Sequence, residues 1–539
     1  MALFAAAKLL GRTSLLAAGA TASSLVAAEY AGSDAGVVRS FTFWRHVVPM
    51  YAHYKLVEWR VATESDPHAV AAAYRPLHER YSPRVRQLAL HLQGFYFKLA
   101  QIMSTRDDFL PDEYLQWTKQ LQDQCPNVMP SSEAKRIVER SLDVPFDTLF
   151  AHWDDQPIGA ASVAQVHRAR LRESGELVAV KVLFPGMESK FTNDIQTVEV
   201  FCKYLMPQNA SYFAEIKRQF ATEFDATREA RNLQLVHHNI CATPWGRLVQ
   251  VPRPLLSSKH VLVMSYLEGP KLVDGVRQWF KRVADSRGMD FDQMEREQKR
   301  LLQSGQLRMK EVRQSANETA RIQRMIRLRD MLVNALIFVG NYTVRPLLGG
   351  DKWKYCKSEM PLNLGHVMDV LLRVHAHEIF MDGAFNGDPH PGNILLMPDG
   401  RLGLVDYGQV KRMSLEDRIV YAKLIVALNR DDRDEVVRIM SDEIGFRTKY
   451  MKKDIIYRTA AFFNCRDSDD ITLGMNVSAF MEWLQRSDPV VRINDEFVMV
   501  GRVSVLLRGM ANAFGLKLRV SDYWKEEAEM LLKSQGIKY

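Results

Sequence analysis

The sequence is poor in cysteine and contains no long uninterrupted hydrophobic run. Its 539 residues include five cysteines, which lie far apart and form no C-x-x-C pair. This pattern argues against a secreted disulfide scaffold and against a zinc ribbon, and it is typical of free thiols in a reducing compartment. Because no run reaches the roughly 18 apolar residues that a membrane span needs, a polytopic membrane protein is excluded.

The remaining composition is that of an ordinary globular protein. Hydrophobic residues make up 47% of the chain and charged residues 25%. These fractions exclude a largely disordered chain, a collagen and a coiled-coil rod. At roughly 150 residues per domain, the length allows two to four domains, each with its own core.

Acidic residues are absent from the start of the chain. The first 28 residues contain no Asp or Glu, whereas Lys8, Arg12 and five hydroxylated residues occur there among many alanines. A basic, Ser-rich and acid-free segment is typical of an organelle transit peptide. We therefore predict a mitochondrial targeting segment over residues 1–28, and the alternatives are a plastid transit peptide, a secretory signal, an uncleaved membrane anchor and a segment with no targeting role.

The net charge of +8 is small for this length, but it is concentrated in one segment. Residues 277–357 carry 18 Lys and Arg against nine Asp and Glu, a net of +9. The rest of the chain is therefore close to neutral, and the charge describes this basic segment rather than the whole protein.

The basic segment has a helical pattern at its centre. Arg321, Arg324 and Arg327 recur at every third position and share one side of a helix. The apolar stretch 331–339 follows, is broken by Asn334 and ends before Gly340 and Asn341, and it is too short to span a bilayer. The segment is either a solvated surface or a surface for anionic lipid or a protein partner. Nucleic acid is not expected, because the segment lacks interleaved aromatic residues and a known binding motif.

Hydrophobic periodicity predicts helices around a small β-rich region. Helical spacing runs from residue 68 to about 145. Two short β-prone runs, 163–169 and 177–183, are joined by a Ser-Gly turn and predict a hairpin, and 261–264 predicts a further strand. From about residue 415 to the end the pattern is mostly helical. These elements together predict an α+β fold.

Two short motifs late in the chain have the spacing of a phosphoryl-transfer centre. Asp388 begins D-P-H-P-G-N, Asn393 ends it, and Asp406 begins D-Y-G. In protein-kinase-like enzymes the first Asp orients the acceptor hydroxyl, and the Asn and second Asp hold Mg²⁺. The apolar runs 394–396 and 402–405 predict a hairpin that presents Asn393 and Asp406 from its two ends. Either motif alone could mark an ordinary turn. Both at this separation predict a catalytic centre, with Asp388 as the catalytic residue and the other two as metal ligands.

A lysine interrupts an apolar strand upstream of this centre. Lys181 lies in V-A-V-K-V, and a lysine on a buried strand needs an anionic partner. In a kinase this lysine contacts the nucleotide phosphates and pairs with a helix Glu, and Glu229, on the helical segment 216–238, is the natural partner. The alternative is a lysine at an exposed strand position.

The hairpin before Lys181 carries Gly159 and the loop sequence G-A-A-S-V-A-Q-V-H. A kinase has G-x-G-x-x-G at this place, where glycines let backbone amides approach phosphate. Alanines and a serine still permit a close approach, but we expect this loop to be stiffer.

These motifs together resemble those of the aarF/UbiB-like atypical kinases, over roughly residues 85–430 apart from the basic segment. The shared motifs are G-A-A-S-V-A-Q-V-H, V-A-V-K, E-F-D-A-T-R-E-A-R-N, V-L-V-M-S-Y-L-E-G, G-D-P-H-P-G-N and D-Y-G. A subgroup whose loop reads G-x-A-S-x-A-Q-V-H is the most similar. The K-x-G-Q helix of the family corresponds to residues 98–101, with alanine in the glycine position.

The resemblance implies a protein-kinase-like bilobal fold with a small β-rich N-lobe and a helical C-lobe. The predicted segments are the targeting segment 1–28, an N-terminal helical extension 68–149, the N-lobe 150–268, the C-lobe 269–440 containing the basic insertion 277–357, and a C-terminal helical region 441–539.

The resemblance also implies ATP and Mg²⁺ as cofactors and assigns a nucleotide-binding set. That set is Gly159, Ala160, Ala161, Ser162, Val163, Lys181, Met264, Tyr266 and Leu267. In the family the K-x-G-Q helix folds over the place where a protein substrate would lie, and its lysine pairs with the E-x-D carboxylates. The corresponding regulatory residues here are Lys98, Gln101, Glu223 and Asp225.

Three functions are compatible with this sequence. The first is a Mg²⁺-dependent ATPase, or a kinase for a small molecule or lipid, that supports mitochondrial quinone or membrane-lipid homeostasis. Its partners would be ATP with anionic lipid, quinone precursors or a protein complex. The second is a pseudokinase scaffold that binds nucleotide without turnover and docks on a membrane or complex. The third is a Ser/Thr protein kinase acting in trans, which the missing Gly-rich loop disfavours.

Overall fold

The computed structural model describes residues 24, 28, 35–62, 64, 67–103, 110–121, 128–160, 162–206, 224–291, 293, 296–297, 300, 309–348 and 351–539. Almost all of the predicted targeting segment, Ala161 and Glu223 lie outside these residues. The cysteines among them, Cys202, Cys241, Cys356 and Cys465, are free thiols, as the sequence predicts.

Helices dominate the described chain. Their bounds, in chain order, are α1 Gly36–Arg60, α2 Pro67–Leu92, α3 Gly94–Met103, α4 Asp112–Gln120, α5 Ser131–Leu142, α6 Phe146–Leu149, α7 Met187–Leu205, α8 Ala226–Cys241, α9 Leu272–Arg287, α10 Val312–Thr343, α11 Arg345–Leu348, α12 Leu364–His377, α13 Leu415–Asn429, α14 Arg433–Arg438, α15 Lys453–Asn464, α16 Asp469–Thr472, α17 Val477–Ser487, α18 Asp495–Ala513 and α19 Ser521–Ser534.

The strands are short and most of them lie in the middle of the chain. Their bounds are β1 Phe150–Trp153, β2 Gly159–Ala160, β3 Ala164–Leu171, β4 Leu177–Leu183, β5 Val249–Gln250, β6 Pro254–Ser257, β7 Val261–Ser265, β8 Lys310–Glu311, β9 Ala384–Asn386, β10 Ile394–Leu396, β11 Leu402–Leu404, β12 Val410–Arg412, β13 Arg447–Thr448, β14 Val490–Arg492 and β15 Leu516–Lys517.

The chain divides into two compact units, and the first comprises Met1–Ala230 and Pro254–Tyr266. Its core is an antiparallel sheet in the order β1-β3-β4-β7-β6, with β2 paired to β3. The predicted hairpin is therefore formed by β3 and β4, and Gly175, with φ +68°, lies in its turn. Strand β4 lies in the middle of the sheet, which explains its nearly continuous apolar sequence.

The N-terminal helices of this unit follow the predicted apolar periodicity, with a break at residues 110–111 before α4. Helix α1 was not predicted, because exposed apolar residues such as Leu56 and Trp59 obscure its buried stripe. A buried ion pair, Arg39 with Asp194, joins α1 to α7, and the Arg39 Nε lies 2.9 Å from the Asp194 Oδ1.

The second unit comprises Arg231–Arg253 and Leu267–Tyr539 and is mostly helical. The predicted hairpin of β10 and β11 is present, and β5 pairs in parallel with β11. Strand β12 pairs with β9 in an antiparallel ribbon. In the sequence, the D-P-H-P-G-N motif lies between β9 and β10, and the D-Y-G motif lies between β11 and β12.

The apolar stretch 331–339, which Gly340 and Asn341 end in the sequence, lies inside a longer helix. Helix α10 continues to Thr343. Gly340 packs against the Trp353 ring, where an added Cβ would lie 2.2 Å from a ring carbon. The Asn341 side chain bonds the Trp353 backbone, with its amide nitrogen 3.0 Å from the carbonyl oxygen. Both residues therefore serve packing against a following segment rather than helix termination.

Candidate active-site elements

Lys181 is held on the central strand of the first unit by an acidic partner. It lies opposite Val166 on β3 and Leu262 on β7. Its ammonium donates to both carboxylate oxygens of Glu229 at 2.8 Å, and the two side chains are only 17% and 9% exposed. The structure therefore brings this predicted pair together. Lys181 does not occupy an exposed strand position, which was the alternative.

Helix α8, which carries Glu229, is capped by a residue of the predicted E-x-D pair. The Asp225 carboxylate accepts from the Thr227 backbone N–H at 3.0 Å and from its hydroxyl at 2.5 Å. A carboxylate at this position satisfies free N–H groups of the first turn and favours the helix dipole. The capping role of Asp225 was not predicted, and its pairing with Lys98 stays a prediction.

The alanine-rich loop begins on β2 and continues into β3. Gly159 lies opposite Val166 and Ala160 opposite Gln165, and no neighbouring atom approaches within 4 Å of a Cβ built at Gly159. Ser162 and Val163 are buried. The Ser162 hydroxyl has no hydrogen-bond partner among the described residues, so a ligand or water that reached it would satisfy a buried polar group.

The end of this loop motif has a structural role that its sequence does not reveal. Gln165 accepts from the Met129 backbone N–H at 2.8 Å and donates to its carbonyl at 3.1 Å. His167 stacks on Trp153, with ring centroids 4.5 Å apart, and burial lowers the pKa of its imidazole. The Gln165 side chain therefore attaches the segment before α5 to the sheet, and His167 packs within the sheet against β1.

Three residues of the predicted nucleotide-binding set, Met264, Tyr266 and Leu267, lie at the end of β7 and directly after it. Met264 is buried opposite Ala179, and the Tyr266 backbone N–H donates to the Leu177 carbonyl at 3.0 Å. Leu267 belongs to the second unit, where its side chain packs over Gly403 on β11. The binding of nucleotide at these three residues stays a prediction.

In the second unit one side chain holds the backbones of both carboxylate motifs. The buried Asn386 accepts from the Asp388 backbone N–H at 2.9 Å and donates to the Asp406 carbonyl at 2.9 Å. The Val405 N–H donates to the Asn393 carbonyl at 3.0 Å. These bonds bring Asp388, Asn393 and Asp406 into one neighbourhood. The Asn386 bridge was not predicted, because a single Asn before Asp388 carries no distinctive sequence signal.

A buried acid, Glu378, holds the Asn386 bridge in place through hydrogen bonds. Glu378, in a π-helical turn after α12, accepts from the Asn386 N–H and from the Tyr407 hydroxyl, both at 3.3 Å. Burial raises the pKa of the Glu378 carboxyl to about 8. The tyrosine of D-Y-G therefore has the polar partner that its buried hydroxyl requires. The Asn232 side chain also donates to the Tyr407 carbonyl, at 3.2 Å.

An arginine from the C-terminal region reaches the predicted catalytic residue. Arg502 on α18 lies 3.3 Å from the Asp388 carboxylate, and both side chains are about one-third exposed. The sequence reveals no chemistry in this region, because the contact joins residues 114 positions apart. An arginine beside a carboxylate competes with an acceptor hydroxyl for hydrogen bonds to that carboxylate. The contact with Arg502 therefore affects whether Asp388 can orient an acceptor hydroxyl.

The turn between Asp388 and Asn393 is shaped by His390. Its Nδ1 accepts from the Gly392 backbone N–H at 3.1 Å, and a Cβ at Gly392 would lie 2.9 Å from that nitrogen. The imidazole therefore needs glycine two residues later and orients the short turn Pro391–Asn393.

The K-x-G-Q-like residues lie on α3 in the first unit. Gln101 donates to the Leu121 carbonyl at 2.9 Å, which fixes α3 against the end of α4. Ala100, in the family's glycine position, is buried in a cluster with Phe97 and Trp117. Lys98 is half-buried on the same helix. The regulatory role of Lys98 and Gln101 stays a prediction.

Among the described residues there is neither a cluster of metal-ligating side chains nor a membrane-spanning helix. No group of three or more His, Cys, Asp and Glu side chains that could hold a metal ion occurs in that part of the chain. None of the helices described is both long and apolar enough to cross a membrane.

A model of the ABC1 atypical kinase-like domain matches residues 120–287 and 351–440 of this chain. AarF domain-containing protein kinase 1 of Gallus gallus is 23% identical over 83% of this chain and 73% of its own length. The probable protein kinase UbiB of Marinobacter nauticus is 35% identical over 35% of this chain and 36% of its own.

A chloroplastic relative and one solved structure are also similar. Protein ACTIVITY OF BC1 COMPLEX KINASE 8, chloroplastic, of Arabidopsis thaliana is 26% identical over 70% of this chain and 40% of its own. The complex of Rv3197 with erythromycin from Mycobacterium tuberculosis aligns with TM-score 0.42 and 17% identity, over 86% of this chain and 98% of that one. The domain match, together with the helices and small antiparallel sheet described above, confirms the predicted α+β, kinase-like fold.

Proposed function

Because this chain belongs to the aarF/UbiB-like family of ABC1 atypical kinase-like proteins, we propose that it binds Mg²⁺-ATP and transfers or hydrolyses its terminal phosphoryl group. The acceptor would be water, a lipid or another small molecule. The observation that carries this proposal is the Asn386 bridge. The Asn386 side chain bonds the Asp388 backbone N–H and the Asp406 backbone carbonyl, each at a donor–acceptor distance of 2.9 Å. This bridge holds the backbones of the residue that would orient the acceptor and of a residue that would bind Mg²⁺ in one neighbourhood, as phosphoryl transfer requires.

The side chains present fit the two cofactors. Asn393 and Asp406 offer the hard oxygen ligands that Mg²⁺ prefers, and the ion would neutralise charge on the nucleotide phosphates. Lys181, prepared by Glu229, would contact the phosphates. The unsatisfied Ser162 hydroxyl is a further donor for phosphate oxygens. Asp388 would orient the hydroxyl or water that attacks.

The proposed setting is mitochondrial, in support of quinone or membrane-lipid homeostasis. It rests on the acid-free, basic composition of the first 28 residues. A chloroplastic relative supports the plastid alternative. Fluorescent fusions with and without residues 1–28 test it, and loss of organelle import on deletion is the expected result.

The function is tested by ATP turnover of the purified protein. Asp406→Asn removes a hard charged ligand, and we expect it to lower Mg²⁺-dependent hydrolysis by at least about a hundredfold, as loss of a preorganised electrostatic group does. Asp399→Asn is the matched control, because this carboxylate lies exposed in the turn between β10 and β11. Wild-type turnover in Asp406→Asn would overturn the proposal.

The ion pair between Asp388 and Arg502 favours a second candidate, a scaffold that binds nucleotide without turnover. Such a protein would show a rise in its melting temperature with Mg²⁺-ATP and would hydrolyse none. Lys181→Met is expected to abolish that rise under either candidate. If Arg502→Gln hydrolyses ATP where the wild type does not, the arginine holds the catalytic carboxylate inactive.

A further inference from the structure

Helix α10 turns its polar side toward the protein. It lies outside both stretches matched by the family model. On its inner side, Asn334 accepts from the Cys356 N–H at 2.6 Å and donates to the Cys356 carbonyl at 2.8 Å. Asn341 makes the same pair of bonds with the Trp353 backbone, at 2.7 and 3.0 Å.

Two further polar side chains continue this inner row. The Asp330 carboxylate accepts from the Ser358 N–H at 2.6 Å and from its hydroxyl at 2.7 Å. Gln323 donates to the Pro361 carbonyl at 2.8 Å. The spacing of these positions places them on one side of the helix. The extended segment 353–361 therefore covers this side of the helix. Side chains of α10 bond several backbone N–H and C=O groups of that segment.

The opposite side of α10 is apolar and exposed. Met331 is 60% exposed, Leu336 73% and Tyr342 58%. The other large apolar residues on and just beyond this face, each more than one-third exposed, are Met325, Leu328, Leu332, Phe338, Val339, Leu347 and Leu348. A surface helix normally buries its apolar stripe and exposes its polar one. This helix does the reverse, and such a large exposed apolar patch marks an interaction site.

Cations flank the apolar face at both ends. Arg321, Arg324 and Arg327 are exposed on the N-terminal side. Beyond the C-terminal end, the Lys352 ammonium lies 4.3 Å over the Tyr342 ring, and Arg345 lies two residues after the end of α10. Asp330 is the only acid between residues 319 and 350, and it is bonded on the inner side. The nearest acids at its two ends are Glu318, which is paired with Lys310, and the exposed Asp351, so within α10 the outward face combines apolar residues with a net positive charge.

We propose that α10 docks this protein on the surface of an anionic lipid bilayer. The helix lies along the membrane interface, its apolar face enters the boundary between headgroups and acyl chains, and its flanking cations contact lipid phosphates. A basic helix with an apolar face has the chemistry that such surfaces recognise. The proposal goes beyond the nucleotide chemistry and does not depend on it.

The charge distribution favours lipid over a second copy of this chain. In a twofold dimer the same patch would face itself. Because both ends of the apolar face are cationic, parallel and antiparallel pairings would each place arginines and lysines against like charges. An anionic bilayer has no such conflict.

The test is flotation of the full-length protein with vesicles of phosphatidylcholine alone or with phosphatidylglycerol added. The variant Arg321→Gln/Arg324→Gln/Arg327→Gln is expected to bind the anionic vesicles about a hundredfold more weakly, because each cation near such a surface contributes about fivefold. Its matched control replaces the exposed Arg140, Arg486 and Arg492 with Gln and is expected to bind like the wild type.

The apolar face is tested by Leu332→Glu/Leu336→Glu, with Met530→Glu on α19 as the control. We expect the double variant to stay unbound and to keep its melting temperature, since both leucines are exposed. Wild-type flotation of the double variant would overturn the proposal. A wild-type dimer that the double variant converts to a monomer, with neither bound to vesicles, would also overturn it. Asp406→Asn is expected to float like the wild type. The flotation result can therefore be interpreted even if the nucleotide proposal fails.

Discussion

Buried polar side chains that do not touch the proposed nucleotide decide where the reactive groups lie. Asn386 connects the backbones at Asp388 and Asp406, and Glu378 supports Asn386 and Tyr407. Because each of these groups is buried, each must find a partner, and the partners fix a single arrangement. The proposed metal ligands are thus positioned by two residues, Asn386 and Glu378, that lie outside the recognised motifs.

The raised pKa of Glu378 predicts a pH dependence of stability. Burial raises its pKa to about 8 in the folded protein, whereas an unfolded Glu titrates near ~4.3. Between these values the folded state holds a proton that the unfolded chain has lost. The free energy of unfolding therefore falls as the pH rises through this window, by at most about 1.4 kcal/mol per pH unit, and levels off above it.

Glu378→Gln is expected to remove that slope, because an amide stays neutral, can accept from the Asn386 N–H and can donate to the Tyr407 hydroxyl oxygen instead of accepting from it. Urea unfolding of both proteins between about pH 6 and pH 8 measures it, with the wild type losing stability relative to the variant toward the alkaline end. Glu529→Gln, at a surface position of α19, serves as the control. Parallel curves for wild type and Glu378→Gln would show that the acid is ionised when folded.

At the scale of elements, the inverted helix α10 is fixed to the second unit by a close crossing with α12. A Cβ at Gly365 would lie 2.5 Å from the Ala316 nitrogen and 2.7 Å from the Val312 carbonyl oxygen. Asn363, which caps α12, also donates to the Ala316 carbonyl at 2.9 Å. Backbone contact at this point determines which side of α10 faces inward.

Gly365→Ala is therefore expected to destabilise the protein by about 1–3 kcal/mol, since backbone atoms cannot move aside as a flexible side chain can. Gly509→Ala on α18 is the matched control, because no atom lies within 4 Å of its added Cβ. That substitution is expected to stabilise by up to about 1 kcal/mol through helix propensity. Chemical denaturation compares the two, and equal stabilities would contradict the close crossing.

At the scale of the molecule, the region beyond the family match is part of the fold of the second unit. Trp524 on α19 is fully buried, donates to the Leu372 carbonyl at 3.0 Å and packs against Phe380 and Tyr421. Arg502, on α18, reaches Asp388 from the same region. The last hundred residues therefore support the helix before the D-P-H-P-G-N motif and contribute a charge beside it.

Trp524→Ala is expected to cost about 3–5 kcal/mol, because it leaves a large cavity and an unpaired carbonyl in the core. Met530→Ala, on the exposed side of the same helix, is expected to change the free energy of unfolding by less than about 0.5 kcal/mol. Thermal unfolding followed by circular dichroism measures both. A small effect at Trp524 would show that α19 is dispensable for the second unit.

The sequence alone determined the family, the fold class and most local elements. Strand period, turn residues and motif spacing are local properties, so the β3–β4 hairpin, the β10–β11 hairpin and the C-terminal helices were predictable. The structure also brings together Lys181 and Glu229, whose contact follows from a buried strand lysine that requires an anion. The roles of the site residues in nucleotide binding stay predictions.

The tertiary structure alone decided three features. It joined Asn386, Glu378 and Arg502 to the carboxylate motifs, it continued α10 through Gly340, and it turned the polar side of α10 inward. Each of these depends on contacts between residues distant in sequence, where one ordinary Asn, Glu, Arg or Gly carries no local signal. Burial and hydrogen-bond satisfaction select such contacts, and they exist only once the chain has folded.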